Sequence, residues 1–564
     1  MEKKIINEEI TVSGQIVKED VGHLEAQGVK SIICNRPDGE GSDQPNFVEI
    51  EEAAKQCGID IHYLPVTSGK VTDQNVDDFS SLYAMLTKPV HAYCRSGMRS
   101  TTLWALSSIQ QGVSSESVIN TAKNAGYDLS SIGNRSSKAK TESKQTEPGK
   151  TSWDVLVVGA GAGGISVASC LLSRDQSLSI ALIDPSEEHY YQPGWTMVGG
   201  GIFKAEKTRR RTVDLIPTGV KWIKAAVAAF EPERNVVLLE GCEEVSYKRL
   251  VVAPGIKLDW HGVEGLVETL GKNGVTSNYR YDLAPYTWQL VQKLQQGKAL
   301  FTQPPMPIKC AGAPQKALYL SGDHWYRNNR INNIDIEFYN AGGVLFGVKE
   351  YVPSLMNYIN RYQADIKFMH NLVRIDGESK TAWFEKTDSD GNKETLKTNF
   401  DMIHVCPPQK APDFIRASAL ADQAGWVDVD QNTLRHKKYD NIWSLGDVMN
   451  APNAKTAAAA RKQAPVVAAN IVADLQKRSI VAHYDGYGSC PLTVERGKVV
   501  LAEFGYGGKL LPSFPKWVLD GTQPTRAAWL LKEKLLPPIY WDAMLKGKEW
   551  LVKPSMKPSE KKSA

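Results

Sequence analysis

Cysteine is scarce in this chain, as are long apolar runs and any excess of one charge. Eight cysteines stand at positions 34, 57, 94, 170, 242, 310, 406 and 490 of 564, and the closest two lie 23 residues apart. That spacing excludes a CxxC motif and the paired thiols of a zinc site, so no metal centre is expected. It is also too dilute for a disulfide-stapled secreted scaffold. These read as intracellular thiols, and any that matters must act through its chemistry. No apolar run reaches the ~18 residues of a bilayer-spanning helix, and the first residues, Met1 to Glu9, carry no signal-peptide core. Net charge is only +4, with 67 Lys+Arg against 63 Asp+Glu, which gives no general field for nucleic acid.

What is present is a composition near the soluble globular average, 42% apolar and 23% charged. At ~150 residues per domain, the length implies roughly three to four domains. The clearest boundary is Gly133 to Ser152, whose only aliphatic residue is Ala139; such a segment buries too little surface to order itself. It separates a module at 1–132 from a body at 153–480 and a C-terminal region at 481–564. No internal repeat is found.

In the first module, short apolar strands alternate with helices, which predicts a parallel sheet with chemistry at the strand C-terminal ends. Strands are expected at Gly28–Cys34, His62–Val66 and Val90–Tyr93, and helices at Phe47–Cys57, Asp73–Leu86 and Thr101–Gln111. After the third strand comes Cys94-Arg95-Ser96-Gly97-Met98-Arg99. Four residues between Cys94 and Arg99 let backbone N–H groups converge on the sulfur, while the helix start and Arg99 add positive potential. An ordinary thiol is only ~3% ionised at pH 7, so a nucleophilic cysteine needs such a cradle.

This loop resembles those of cysteine phosphatases and rhodanese sulfurtransferases. The phosphatases place five residues between Cys and Arg, the rhodaneses four, as here. Ser13-Gly14-Gln15, Cys34-Asn35-Arg36-Pro37 and Leu64-Pro65-Val66 resemble a small phosphatase-like family associated with sulfur transfer. The resemblance implies a cysteine-phosphatase-like α/β fold with Cys94 and Arg99 as its working residues. Asp73 occupies the place of a general acid but reads as a helix N-cap.

The body opens with Gly159-Ala160-Gly161-Ala162-Gly163-Gly164, a GxGxxG turn between a strand and a helix. Gly159 makes the turn, Gly161 lets a pyrophosphate approach, Gly164 lets helix and strand pack, and the helix start faces the phosphates. Twenty residues on, a strand ends at Asp184, placed for ribose hydroxyls. Asn441 to Asp447, ending Gly446-Asp447, resembles the second FAD signature of glutathione-reductase-like flavoproteins, and Val251 to Gly255 their intermediate strand motif. Those proteins carry a second glycine fingerprint for a nicotinamide. Here the matching stretch, Lys298 to Leu320, has one glycine, Gly312, so another electron partner is expected.

Pro307 to Lys316 (PIKCAGAPQK), Asp485 to Leu492 (DGYGSCPL), Tyr191 to Thr196 (YQPGWT) and Lys455 to Ala459 (KTAAA) closely resemble sulfide:quinone oxidoreductases of the mitochondrial-like type. That resemblance covers essentially all of 153–550. It implies tandem Rossmann-like domains, the second inserted at about 271–399, and non-covalent FAD contacted by Ala162, Gly163, Asp184, Gln192, Val227, Asp447 and Lys455. Lys455 is expected to open a helix to Leu475 and steady charge on the reduced ring. It also implies that Cys310 and Cys490 form a disulfide or sulfur-bridged pair. In the family the residue matching Cys490 holds a persulfide and the one matching Cys310 bonds the flavin. An acceptor thiol, small or on a protein, takes the sulfur. Quinone takes the electrons. The other cysteines, 34, 57, 170, 242 and 406, read as structural.

The C-terminal region carries Phe504, Tyr506, Phe514, Trp517, Trp529, Tyr540, Trp541 and Trp550, with Lys546, Lys548, Lys553, Lys557, Lys561 and Lys562. Residues 527–536 read as an amphipathic helix. Such tryptophans and lysines suit a membrane interface or a cap and dimer contact. The combined expectation is peripheral attachment to the cytoplasmic face of a bacterial inner membrane, with sulfur passed on through Cys94. An NADH:quinone oxidoreductase fused to a phosphatase and a non-catalytic persulfide sensor are the competing readings.

Overall fold

The computed structural model describes residues 2–41, 44–129, 152–241, 243–452, 454–480 and 482–556. The expected linker through residue 151 lies outside the described residues, as do Cys242, Lys557, Lys561 and Lys562. The chain divides into two compact units. One comprises 1–152 with 225–247 and 417–419; the other comprises 153–224, 248–416 and 420–564.

In the first unit the strands are β1 (Lys4–Ile5), β2 (Ile10–Ser13), β3 (Ser31–Cys34), β4 (Asp60–Tyr63) and β5 (Val90–Tyr93). The helices are α1 (Lys18–Ala26), α2 (Phe47–Gln56), α3 (Asp73–Met85), α4 (Met98–Gln110) and α5 (Ser115–Asn124). The sheet runs β1-β2-β5-β3-β4 and is parallel except at β1, because each helix carries the chain back across the sheet. Central β5 is buried on both faces: Val90 and Ala92 pack with Phe79 and Leu103, and Tyr93 with Val21, Leu24 and Ile50. Helix α4 starts at Met98, ahead of the expected Thr101, because Gly97 turns the chain with φ +88° and caps it. The cap of α3 is Thr72, whose Oγ1 accepts from the Asn75 N–H, rather than Asp73. An antiparallel hairpin, Val227–Glu231 with Val236–Leu239, belongs to this unit.

The second unit opens with β6 (Ser152–Val158), α6 (Ala162–Arg174), β7 (Ile180–Ile183), β8 (Val220–Ile223) and β9 (Glu244–Val252). Strands β8, β7, β6 and β9 lie side by side in that order. A second, parallel sheet contains β10 (Val275–Thr276), β11 (Gly297–Gln303), β12 (Ile334–Asn340), β13 (Asp365–Phe368) and β14 (Met402–His404). Its order is β10-β14-β11-β12-β13, and α7 (Ala313–Arg327) follows β11. The chain then returns to the first sheet, where β15 (Ile442–Ser444) pairs in parallel with β9. Helix α8 (Ala457–Leu475) is capped by Thr456, so Lys455 precedes it instead of opening it. Strands β16 (Gly488–Glu495) and β17 (Lys498–Phe504) pair antiparallel and share a core with α7 through Leu492, Val494, Leu318 and Trp325. Past them, α9 (Arg526–Leu530) runs into a wider π-helical turn, Leu531–Leu535.

Candidate active site

Where a nicotinamide-binding fold turns on glycines, the chain leaves β11 through Lys309 and Cys310 into α7. Cys310 adopts φ +52°, a left-handed conformation costing a non-glycine residue about 1–3 kcal/mol. It is held there by two backbone bonds. Its N–H donates to the Lys455 carbonyl at 2.8 Å, and its carbonyl accepts from the Ala313 N–H at 2.7 Å. Cys490 lies on β16 opposite Ala502 of β17. Its Sγ stands 3.6 Å from that of Cys310, although the two are 180 residues apart in sequence. Both are free thiols, since a bonded pair would close to about 2.05 Å.

Lys316, buried one turn into α7, sets the charge of this pair. Its Nζ lies 3.0 Å from the Cys310 sulfur and 3.8 Å from that of Cys490. The hydrogen bond from Cys490 pulls Cys310 well below the ordinary thiol range and, against burial, Lys316 pulls the same way. The same bond, then burial, pushes Cys490 up. The closer approach of the ammonium favours negative charge on the Cys310 sulfur. Burial opposes charge on Lys316, but the two sulfurs outweigh it and hold its ammonium above the usual range.

A second buried lysine, Lys532 of the π-helical turn, donates to the Pro491 carbonyl at 2.8 Å. Burial, then repulsion from Lys316, holds its amine well below the usual range. Desolvating an ammonium costs several kcal/mol, so the site favours one charged lysine over two. Burial pushes Cys34 up to about 11, and Cys170 and Cys406 to about 12.

The glycine turn after β6 has the shape of a dinucleotide cradle. A β-carbon on Gly159 (φ +104°) would lie 2.4 Å from the Ala253 carbonyl oxygen, and one on Gly164 1.8 Å from that of Gly159. At Gly161 nothing lies within 4 Å, so the space before the α6 N-terminus, where Ala162 and Gly163 form the first turn, is open. Just past β7, the Asp184 carboxylate accepts from the Ala160 N–H at 2.6 Å and from the Ser186 N–H at 2.8 Å. Burial raises its pKa.

Gly446 (φ +81°) follows β15, its N–H donating to Gln463 Oε1 at 2.8 Å, and presents the partly buried Asp447. Burial raises Asp447 against the pull of Lys455 and Lys309. Lys455 donates to the carbonyls of Asp447 at 2.6 Å and Met449 at 3.0 Å, and burial lowers it to about 8. Gln192 accepts from Lys309 Nζ. Just beyond it, Trp195 Nε1 and Thr196 Oγ1 are buried without a hydrogen-bond partner among the described residues. An open helix start, two partly buried carboxylates and these orphaned polar groups fit a large polar ligand such as FAD. Val227 lies in the other unit, on its hairpin, paired with Leu239.

In the first unit Cys94 directly follows β5, fully buried, and the Gly97 N–H donates to its sulfur at 3.2 Å. Arg99 is coupled electrostatically to Cys94, but its guanidinium is already engaged. It donates to the Val66 carbonyl at 2.6 Å and to Glu40 at 2.7 Å, a carboxylate shared with Arg36 at 2.9 Å. Glu240, buried beyond the hairpin, accepts from the Ser96 hydroxyl and lies 3.4 Å from Arg95. Two carboxylates thus face a loop whose arginine is partly neutralised, which disfavours a phosphate dianion.

Comparison with known proteins separates the two halves. Residues 2–111 match the phosphatase-like domain of beta-lactamase hydrolase-like proteins, and residues 153–301 match the pyridine nucleotide-disulphide oxidoreductase family. The chain is 44% identical over 397 residues to the mitochondrial sulfide:quinone oxidoreductase of Dictyostelium discoideum, covering 70% of this chain and 86% of that protein. The chain belongs to the sulfide:quinone oxidoreductase family. The sulfide:quinone oxidoreductase structure from Aquifex aeolicus, 17% identical, shares the fold at a TM-score of 0.58, covering 70% of this chain and 92% of that one. The N-terminal part is 36% identical over 125 residues to the beta-lactamase hydrolase-like protein of Agrobacterium fabrum (strain C58), 22% of this chain and 29% of that protein.

As a sulfide:quinone oxidoreductase the chain is an FAD-dependent enzyme. The family resemblance paired Cys310 with Cys490, but sequence reasoning missed Lys316, Lys532, Gln463, Glu40 and Glu240. Lys316 was visible in the KCAGAPQK stretch, six residues past Cys310, where a helix start returns a side chain to its own N-terminus. Nothing local marked the others.

Proposed function

We propose that Cys310 and Cys490 oxidise sulfide between them. Hydrosulfide attacks their sulfur–sulfur bond. Cys490 keeps the incoming sulfur as a persulfide, and Cys310 leaves as a thiolate stabilised by Lys316. A low-molecular-weight or protein thiolate then takes the outer sulfur, leaving Cys490 as a thiolate. The two thiolates re-form their bond as two electrons depart. FAD held at Gly159–Gly164 would supply the acceptor for those electrons, with quinone as their final destination. In sum, HS⁻ and RS⁻ become RSS⁻, a proton and two electrons.

The observation that carries this reading is the 3.6 Å approach of two cysteine sulfurs beside a buried ammonium. Two bonds of about 2.05 Å span up to about 4.1 Å, so one extra sulfur fits between them, and a direct bond needs about 1.5 Å of closure. The test is anaerobic bleaching of the flavin, followed by quinone reduction, with wild type, Cys310→Ser and Cys490→Ser. Sulfide should bleach wild type and neither variant. Bleaching by NADH and not by sulfide would reject the assignment in favour of an NADH:quinone oxidoreductase.

Cys94 serves as a sulfurtransferase that accepts the sulfane sulfur and hands it to a thiol. The four-residue loop, the Gly97 N–H on the sulfur and the internally paired Arg99 support sulfur over phosphate. Tethering the two sites raises their effective concentration to ~mM. Persulfide transfer to a small thiol should slow in Cys94→Ser while sulfide oxidation persists. Unchanged transfer would remove the relay.

The C-terminal region attaches the enzyme peripherally to the cytoplasmic face of an inner membrane, where lipid-soluble quinone is reached. Among the described residues no helix is long and apolar enough to cross a membrane. Leu530 (55% exposed), Leu535 (53%), Trp517 (88%) and Trp550 (62%) supply the apolar surface that supports attachment.

A further inference from the structure

The chain's last described stretch runs along the helix that follows the glycine turn. At one end, Tyr540 packs on Tyr191 with ring centroids 4.8 Å apart. In the middle, the Ser169 hydroxyl of α6 donates to the Leu545 carbonyl at 2.7 Å. A β-carbon on Gly547 would lie 2.8 Å from the Ser169 backbone. At the far end, Arg174 forms an ion pair with Glu549. Residues 540–549 are therefore a strap laid along α6 from the glycine turn to the helix C-terminus.

The strap reaches the turn through one buried histidine. His189 Nδ1 lies 3.0 Å from the Ala160 carbonyl oxygen, and Nε2 lies 2.7 Å from Tyr540 Oη. A carbonyl only accepts, so Nδ1 carries the proton, and neutral Nε2 accepts from the tyrosine hydroxyl. Burial, which lowers the imidazole to about 4, keeps it neutral near pH 7. On its other side the Ala160 peptide donates its N–H to Asp184 at 2.6 Å. Both polar groups of Ala160 are thus held by side chains, which fixes the turn and leaves the free N–H groups at the start of α6 facing the open space at Gly161.

We propose that His189 and Tyr540 are positioning residues for FAD. The 540–549 strap sets the orientation of the Ala160 peptide through Tyr540 and His189, so the affinity of the glycine turn for FAD depends on this strap being docked. The inference rests on FAD occupying this turn. Neither residue touches the reacting sulfurs; the effect passes through one peptide plane.

The test uses the full-length apoprotein reconstituted with FAD, read by flavin fluorescence quenching, with the melting temperature of the apoprotein measured alongside. Tyr540→Phe keeps the ring packing and removes only the hydroxyl. It should raise the Kd for FAD by about tenfold with the apoprotein melting temperature unchanged. His189→Phe should weaken FAD at least as much, and adding Tyr540→Phe to it should cost nothing further. Because substitution at His189 also alters packing, the Tyr540→Phe result decides. An unchanged Kd with a lowered melting temperature would show the strap to be structural only, and additive losses in the double variant would break the relay. Failure of the wild-type apoprotein to bind FAD would instead reject the reading beneath it.

Discussion

A β-carbon on Gly312 would stand 2.7 Å from the Cys490 sulfur and 2.3 Å from the Leu492 side chain. The one glycine left between Lys298 and Leu320 is therefore the space in which β16 brings its cysteine to Cys310. Gly312→Ala should lower sulfide-dependent quinone reduction at least about tenfold, with flavin content per protein unchanged. Full turnover in that variant would mean that Cys490 can be displaced without consequence.

Lys316→Met removes the ammonium 3.0 Å from Cys310. A depressed thiol is charged above its folded pKa and loses that charge as pH falls through it. Without the lysine this transition should move upward. The rate of Cys310 alkylation by iodoacetamide, followed against pH, measures it. An unmoved profile would assign the depression to Cys490 alone.

Three buried histidines tie stability to pH. Burial lowers His91 to about 3 in the first unit, and His189 and His404 to about 4 in the second. Each is neutral in the fold, while an unfolded histidine gains a proton near pH 6.5. Their contribution is complete above about 6.5 and is withdrawn as pH falls toward 4, at about 1.4 kcal/mol per pH unit each. Urea midpoints should therefore drop between pH 7 and pH 5. His404→Gln, which can still accept from the Asn278 N–H, should flatten the slope for the second unit, and equal slopes would contradict the assignment.

Leu530→Ser with Leu535→Ser should weaken flotation on anionic lipid vesicles about tenfold or more. Turnover with a soluble short-chain quinone should be kept. Equal flotation would move the attachment to another face of the enzyme.

Much of the architecture was legible because it is written locally. The alternation around Val90–Tyr93 and the glycines at 159, 161 and 164 declare strand, turn and helix within a few residues. The meeting of Cys310 and Cys490 was legible only through family resemblance, because no local pattern reports a contact across 180 residues. The stretch 527–536, read as an amphipathic helix, changes from α to π winding at Leu531, and Lys532 is buried while Leu530 and Leu535 are exposed. Arg99 follows Cys94 in the same loop, but the claim of Glu40 on it comes from a loop 59 residues away.

The backbone at Cys310 has a bearing on descent. Its φ of +52° is a geometry in which glycine is at ease and cysteine is not, so the sulfur chemistry proposed for Cys310 would be what retains a thiol there. In lineages that abandon sulfide, mutation should carry this position to glycine or asparagine while the rest of the turn stays intact. A homologue with glycine at that position, and Lys316 beside it without a sulfur to serve, would be the fossil of this enzyme.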